Sequence, residues 1–130
     1  MKSLLPLLAL LILILPACKK APDAEPDPEN MHIGFWTNPI VIDSIWTYSR
    51  VYSLPENDYG FVIVRNGLFV ERKNAGFCGT PPITYAEYEG SWTITGDILT
   101  INTKYWSGSE QYIWKIRLCD QKKLSVIRLQ

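Results

Sequence analysis

Of the residue types that carry chemistry, this chain offers three cysteines, a single histidine and, on an expected strand, a close pair of carboxylates. Glu87 and Glu89 stand two positions apart, with Tyr85 two further back, so on a strand all three side chains leave the same face. Paired carboxylates work as acid and base when one of their pKa values is driven upward. On an outward face they are simply solvated, which is the expectation here. His32 has no second histidine to relay with and reads as a packed or surface residue. One histidine without a close cysteine pair also falls short of a zinc site. No nucleophile, base and orienting group assemble, so the chain is expected to be no enzyme and to need no cofactor or metal.

Cys18 has the clearest task. It closes Leu15-Pro16-Ala17-Cys18, at the end of an apolar run from Leu4 to Leu15 that follows Met1-Lys2. About a dozen residues is shorter than the roughly 20 a helix needs to cross a hydrocarbon core. With Lys2 ahead of it, the run fits the core of a signal peptide. Leucine three places before the cysteine and alanine directly before it resemble the lipobox of bacterial lipoproteins, with Pro16 a less common occupant between them. The resemblance implies export, cleavage before Cys18, and a diacylglyceryl group on its sulfur, often with an N-acyl chain as well. Each buried methylene contributes ~0.8 kcal/mol, and two or more chains anchor stably where one holds only marginally.

Lys19 and Lys20 follow, where aspartate would mark inner-membrane retention under the enteric sorting rule, so the expected address is the outer membrane. Whether the protein faces the periplasm or the surface stays open. Pro22, Pro26 and Pro28 alternate with Asp23, Glu25, Asp27 and Glu29, a composition with almost nothing to bury. It reads as an extended stalk at ~3.1 Å per residue, and it loosely resembles the surface-export signals of Bacteroidetes lipoproteins. Residues 1–17 are thus the leader, 18–30 the lipidated cysteine and linker, and 31–130 the folded domain.

Setting Cys18 aside leaves Cys78 and Cys119, an even remainder that invites one disulfide in an oxidising compartment. The bridge would close a loop of about 40 residues, for which chain entropy suggests ~4 kcal/mol. Two buried free thiols are the alternative.

The 13 basic and 13 acidic residues balance, which leaves no electrostatic footprint for nucleic acid. About 100 residues suffice for one core, and their texture is all-β. Trp46, Tyr48, Arg50 and Tyr52 alternate with Ile45, Thr47, Ser49 and Val51 in a strand over 45–53. Further strands are expected over 59–65, 68–73, 83–88, 91–95, 98–104, 111–119 and 123–129, one fewer if Gly90 merely bends a single strand. Asn66-Gly67 is expected to form the two central positions of a tight reversal, both with positive φ. Short connections favour a meander, and a meander loses its edges by closing. The expected fold is therefore a single antiparallel up-and-down β-barrel of about eight strands. An immunoglobulin-like sandwich, suggested by the order Cys78, Trp92, Cys119, is the rival, but Arg117 stands where its corner tyrosine would be.

Gly34-Phe35-Trp36, the Asn-Gly hairpin, Cys78-Gly79-Thr80-Pro81-Pro82-Ile83, Gly90-Ser91-Trp92 and Ile98-Leu99-Thr100-Ile101 occur in that order. Together they resemble the lipocalin-like lipoproteins of Bacteroidetes, over the chain from Gly34 onward. The resemblance implies a lipocalin-type barrel without a known ligand, and gives Trp36 the task of plugging its closed end. The chain departs from true lipocalins in being shorter and in lacking a helix after the last strand, so a shallow interior is expected.

Trp46, Trp92, Trp114, Tyr48, Tyr52 and Tyr112 occupy alternate strand positions and are expected in the core, where the same side chains would line any apolar pocket. Arg50 shares the Trp46/Tyr48/Tyr52 period. Facing inward it is a buried charge that needs partners or an anchor for an anionic head group; near a mouth it reaches water. Trp106 sits at a loop before Ser107-Gly108-Ser109, where it either grips a ligand or partner or folds back as a lid. Trp46, Tyr48, Arg50, Trp114 and Trp106 are the candidate ligand contacts. Two functions follow as expectations. One is a lipid-anchored envelope protein holding a small apolar or amphipathic ligand in the barrel mouth. The other is a non-enzymatic accessory subunit of an outer-membrane or surface complex, with a filled barrel.

Overall fold

The computed structural model describes residues 23–75 and 84–130. Its elements are β1 (Gly34–Ile42), β2 (Ile45–Val51), β3 (Gly60–Ile63), β4 (Leu68–Asn74), β5 (Tyr85–Thr95), β6 (Ile98–Tyr105), β7 (Gly108–Cys119) and β8 (Lys123–Arg128). Every neighbouring pair is antiparallel, and the sheet closes on itself in the order β1-β2-β8-β7-β6-β5-β4-β3. A closed sheet excludes the sandwich. The period of two does the rest: Trp36, Tyr48, Phe61, Ile63, Phe69, Leu99, Ile101, Trp114, Leu124 and Val126 all point inward and form one core with no exposed surface.

The closed, all-antiparallel barrel of eight strands is the expected one, but its strands are counted and connected differently. Residues 85–95 run as one strand unbroken through Gly90, and the eighth strand is β1, which carries Gly34-Phe35-Trp36. β3 to β8 form a meander, whereas the first hairpin is inserted the other way round, with β2 beside β8 and β1 beside β3. Residues 52–59 must then cross β1 to reach β3. The reason is a second apolar surface. Phe35, Val62 and Val70 alternate with the inward residues and so face out, and Leu54 of the crossing segment packs on them together with Ala24, Val64 and Leu68. Arg72 fastens the crossing by donating to the carbonyls of Leu54 and Pro55.

The β3–β4 turn corrects the expected two-residue reversal. Gly67 N donates to Val64 O (3.2 Å) and Val64 N to Leu68 O (2.9 Å), and only Gly67 of this loop has positive φ (89°). Arg65 and Asn66 are therefore the central residues, followed by a left-handed glycine, which is the three-residue hairpin loop. Asp43, with φ of 50°, and Asp97 sit in turns.

Cys18 and Cys78 lie outside the described residues, so the lipidation and the Cys78–Cys119 bridge both rest on positions beyond them. Cys119 ends β7 beside the β7–β8 turn. Ala75 and Thr84, which bracket the segment holding Cys78, are joined by a hydrogen bond (2.7 Å) at the opposite end of the barrel. The Cys119 thiol is half-buried, and burial pushes its pKa up to about 11.

Candidate functional site

The barrel has two unlike ends. At one of them the arm formed by residues 23–33 folds under the strands. Arg65, in the β3–β4 turn, pairs with Asp23 (3.2 Å) and Asp27 (2.7 Å), and Ile33 is wholly buried beneath Trp36. Trp36 donates its indole N–H to His32 O (3.0 Å). His32 is packed edge-on against Trp92 at 5.0 Å, and burial lowers its pKa. It is the packed histidine of the two alternatives.

Arg50 belongs to this plugged end. Its guanidinium lies 4.1 Å from the Trp36 ring centroid. It donates to the carbonyls of Gln121 (2.8 Å), Ile33 (2.7 Å), Met31 (2.5 Å) and Asp120 (3.0 Å). Four of its five N–H groups are thereby spent on tying the arm to the β7–β8 turn. Of the readings open for Arg50, this geometry fits the inward charge held by partners, which here forms a structural clasp. Gly34 explains itself here: a Cβ would stand 2.2 Å from Arg50 Nη1, and its φ of 144° disfavours any side chain. Arg50→Met is expected to cost about 2–3 kcal/mol, from charge-assisted bonds made at a half-exposed site. It should also expose the arm to protease well before the barrel unfolds; an arm as protected as in the parent protein would refute the clasp.

The other end is open and carries a polar network above an aromatic floor. Tyr48, Trp114 and Tyr112 stack across the barrel, at 5.7 Å (19°) and 5.5 Å (7°), with Phe61 edge-on to Tyr48 and Trp114. In the wall beside them Glu71, only 1% exposed, accepts from Tyr59 Oη (2.6 Å) and pairs with Lys73 Nζ (2.8 Å). Tyr112 Oη lies within hydrogen-bond distance of both Glu71 (3.0 Å) and Glu110 (2.7 Å), with one proton to give. Burial, reinforced by the Glu71 carboxylate, pushes the phenols of Tyr59 and Tyr112 well up. Against the upward pull of burial, Lys73 and Tyr112 hold Glu110 below the usual carboxylate range. Across the mouth Arg128 lies 3.5 Å from the Trp46 ring centroid and donates to Tyr48 Oη (2.7 Å).

Of the five candidate ligand contacts, Trp46, Tyr48 and Trp114 come together at the open end, with Trp106 half-exposed in the β6–β7 turn above them. Arg50 is at the opposite end. Tyr52, expected in the core, is fully exposed, because β2 stops at Val51 and the crossing segment begins there. Glu87 and Glu89 are on the outer face as expected, Glu87 bound by Arg72. Glu71, Tyr59, Lys73 and Arg128 were not among the sequence candidates. The signal for three of them was present: Phe69-x-Glu71-x-Lys73 and Leu124-x-Val126-x-Arg128 carry charges into positions that the alternation assigns to the inside.

Among the described residues, no cluster of three or more His, Cys, Asp or Glu side chains could hold a metal ion. The clefts among the described residues include one of about 570 Å³ over β5, β6 and β7, lined by Glu89, Ser91, Asn102 and Gln111, and one of about 470 Å³ on the outside, between the arm and Phe35, Val51 and Tyr52. Fold and site together define a closed antiparallel barrel with a filled aromatic interior and one polar, open end. Compared with known proteins, the chain matches no family model, no curated protein and no solved structure.

Proposed function

We propose that this chain is a lipid-anchored lipoprotein of the bacterial envelope, whose barrel is a non-catalytic docking module presenting its open end to a protein partner. The filled interior carries this reading. Ten inward side chains with no exposed surface occupy the barrel, so a ligand has no depth to enter. The apolar surface available for binding lies on the rim instead. Ile40 (53% exposed), Val41, Ile42 (67%), Leu129 and Trp106 belong to the β1–β2 hairpin, the end of β8 and the β6–β7 turn. Those strands are neighbours round the barrel. Five large apolar side chains exposed at one end of a small domain are a surface that suits an interaction partner.

The chain enters the described part at Asp23, at the plugged end, so acyl chains on Cys18 would leave the open end facing away from the bilayer. The likeness to lipocalin-like lipoproteins belongs to the same proposal: the barrel is closed and eight-stranded, and Trp36 plugs one end, although the first hairpin departs from sequential order. Crosslinking pull-down of the full chain from envelope fractions tests it. Partner recovery is expected to fall with Trp106→Ala combined with Ile42→Asp, and Cys18→Ala should move the protein out of the membrane fraction. Unchanged recovery would remove the rim as the docking surface.

A further inference from the structure

We infer that the open end also holds an anion site, built on Arg128, that takes the carboxylate of a small amphipathic organic acid. This goes beyond the docking surface and does not depend on it. Leu124, Val126 and Arg128 alternate inward along β8, and the strand leaves the core at Arg128, so the charge arrives where the barrel meets water. The guanidinium lies 3.5 Å from the Trp46 centroid and 5.4 Å from that of Trp114. Its one hydrogen bond among the described residues runs to Tyr48 Oη (2.7 Å). An arginine has five N–H donors, so most of the fork is unspent.

No carboxylate among the described residues forms a salt bridge with it, although its charge reaches Glu110, whereas Lys73 is held by both Glu71 and Glu110 at 2.8 Å. Arg128 is thus oriented without being ion-paired. A planar fork already fixed on an aromatic face loses little freedom when it grips a carboxylate through two parallel bonds. In the same layer the buried Trp114 Nε1 has no acceptor among the described residues.

The surroundings define the rest of the ligand. Val41 is directly opposite Trp46 in the β1–β2 register and is 48% exposed. With the Trp46 ring it offers an apolar surface beside the charge. Because Tyr48, Trp114 and Tyr112 fill the barrel beneath, the apolar body lies across the mouth and not down the axis. A short-chain acid and the C-terminus of an apolar peptide share this chemistry.

Titration of the full chain with hexanoate, followed by tryptophan fluorescence, distinguishes the outcomes. A saturable change is expected, weakened at least about tenfold by Arg128→Gln and by hexanamide in place of the acid, with Arg128→Lys intermediate. An unchanged thermal midpoint of the Arg128→Gln protein shows that the fold is kept. A parallel arm compares N-acetyl-Leu-Leu with its C-terminal amide: a stronger response to the peptide acid than to hexanoate assigns a chain terminus, and the reverse assigns a free acid. No saturable response to either acid, or an equal response from Arg128→Gln, overturns the site.

Discussion

Replacing Glu71 by leucine is expected to lower the unfolding free energy by about 3–5 kcal/mol, the cost of breaking a buried charge pair from one side. Glu71 is the acceptor on which Tyr59 Oη (2.6 Å), Lys73 Nζ (2.8 Å) and Tyr112 Oη (3.0 Å) converge. Leucine leaves the Tyr59 hydroxyl buried with nothing to donate to. Lys73 and Tyr112 keep Glu110, which limits the loss to part of the network. In a domain whose whole stability is about 5–15 kcal/mol, this is a large fraction. Glutamine keeps an acceptor oxygen and the volume, and should cost less than leucine. Urea denaturation of the two variants reads the difference directly; a leucine variant within about 1 kcal/mol of the parent would mean that the network holds little.

The same network sets an alkaline limit. The folded-state pKa values of Tyr59 and Tyr112 are raised above the ordinary value of 10.0. An unfolded tyrosine gives up its proton first, so above that pH the unfolded state binds fewer protons and stability falls as pH rises. The contribution is fully present below about pH 10 and is lost above it. Tyr112→Phe should flatten this fall, read as the thermal midpoint between pH 8 and pH 11.

The second large effect is expected at Trp36. Trp36→Ala should destabilise by about 3–5 kcal/mol, since a wholly buried indole is removed and the strands can close only partly over the gap. The same substitution withdraws the donor that holds His32 O and the ring on which Arg50 lies. Arm and barrel should therefore loosen together, visible as hydrogen exchange rising at His32, Ile33 and the β7–β8 turn. Trp36→Phe keeps most of the apolar bulk and should cost about 1–2 kcal/mol, largely through the unpaired His32 carbonyl. Equal midpoints for the alanine variant and the parent would contradict the plug.

Much of the barrel was legible residue by residue. The alternation through Trp46 and Tyr48, and through Tyr112 and Trp114, placed these side chains inside, because a strand sends successive side chains to opposite faces wherever it lies. The same local rule failed at ends. It carried Tyr52 into the core, though the strand stops one residue earlier. It placed the hairpin centre at Asn66-Gly67, though hydrogen bonds from Val64 and Gly67 centre it one residue earlier. β1 was recognised only as a motif, because the left-handed Asn38 (φ 55°) and Pro39 interrupt its alternation with a bulge.

The sequence alone determined that the chain is all-β with one core, that Trp46, Tyr48, Tyr112 and Trp114 face inward, and that Cys18, Cys78 and Cys119 carry separate expectations. Tertiary structure decided the rest. Arg50 and Arg128 look alike on the chain, each continuing an inward alternation at the end of a strand. One is spent on carbonyls 17 to 71 residues away, and the other hydrogen-bonds Tyr48 and lies against the rings of two tryptophans. Glu71 finds Tyr59 and Tyr112 across 12 and 41 residues of sequence. The reversed first hairpin likewise answers to an outer apolar face that exists only once β1, β3 and β4 are side by side. Periodicity is a property of each strand by itself, whereas partnership depends on which strands closure brings together and at what register.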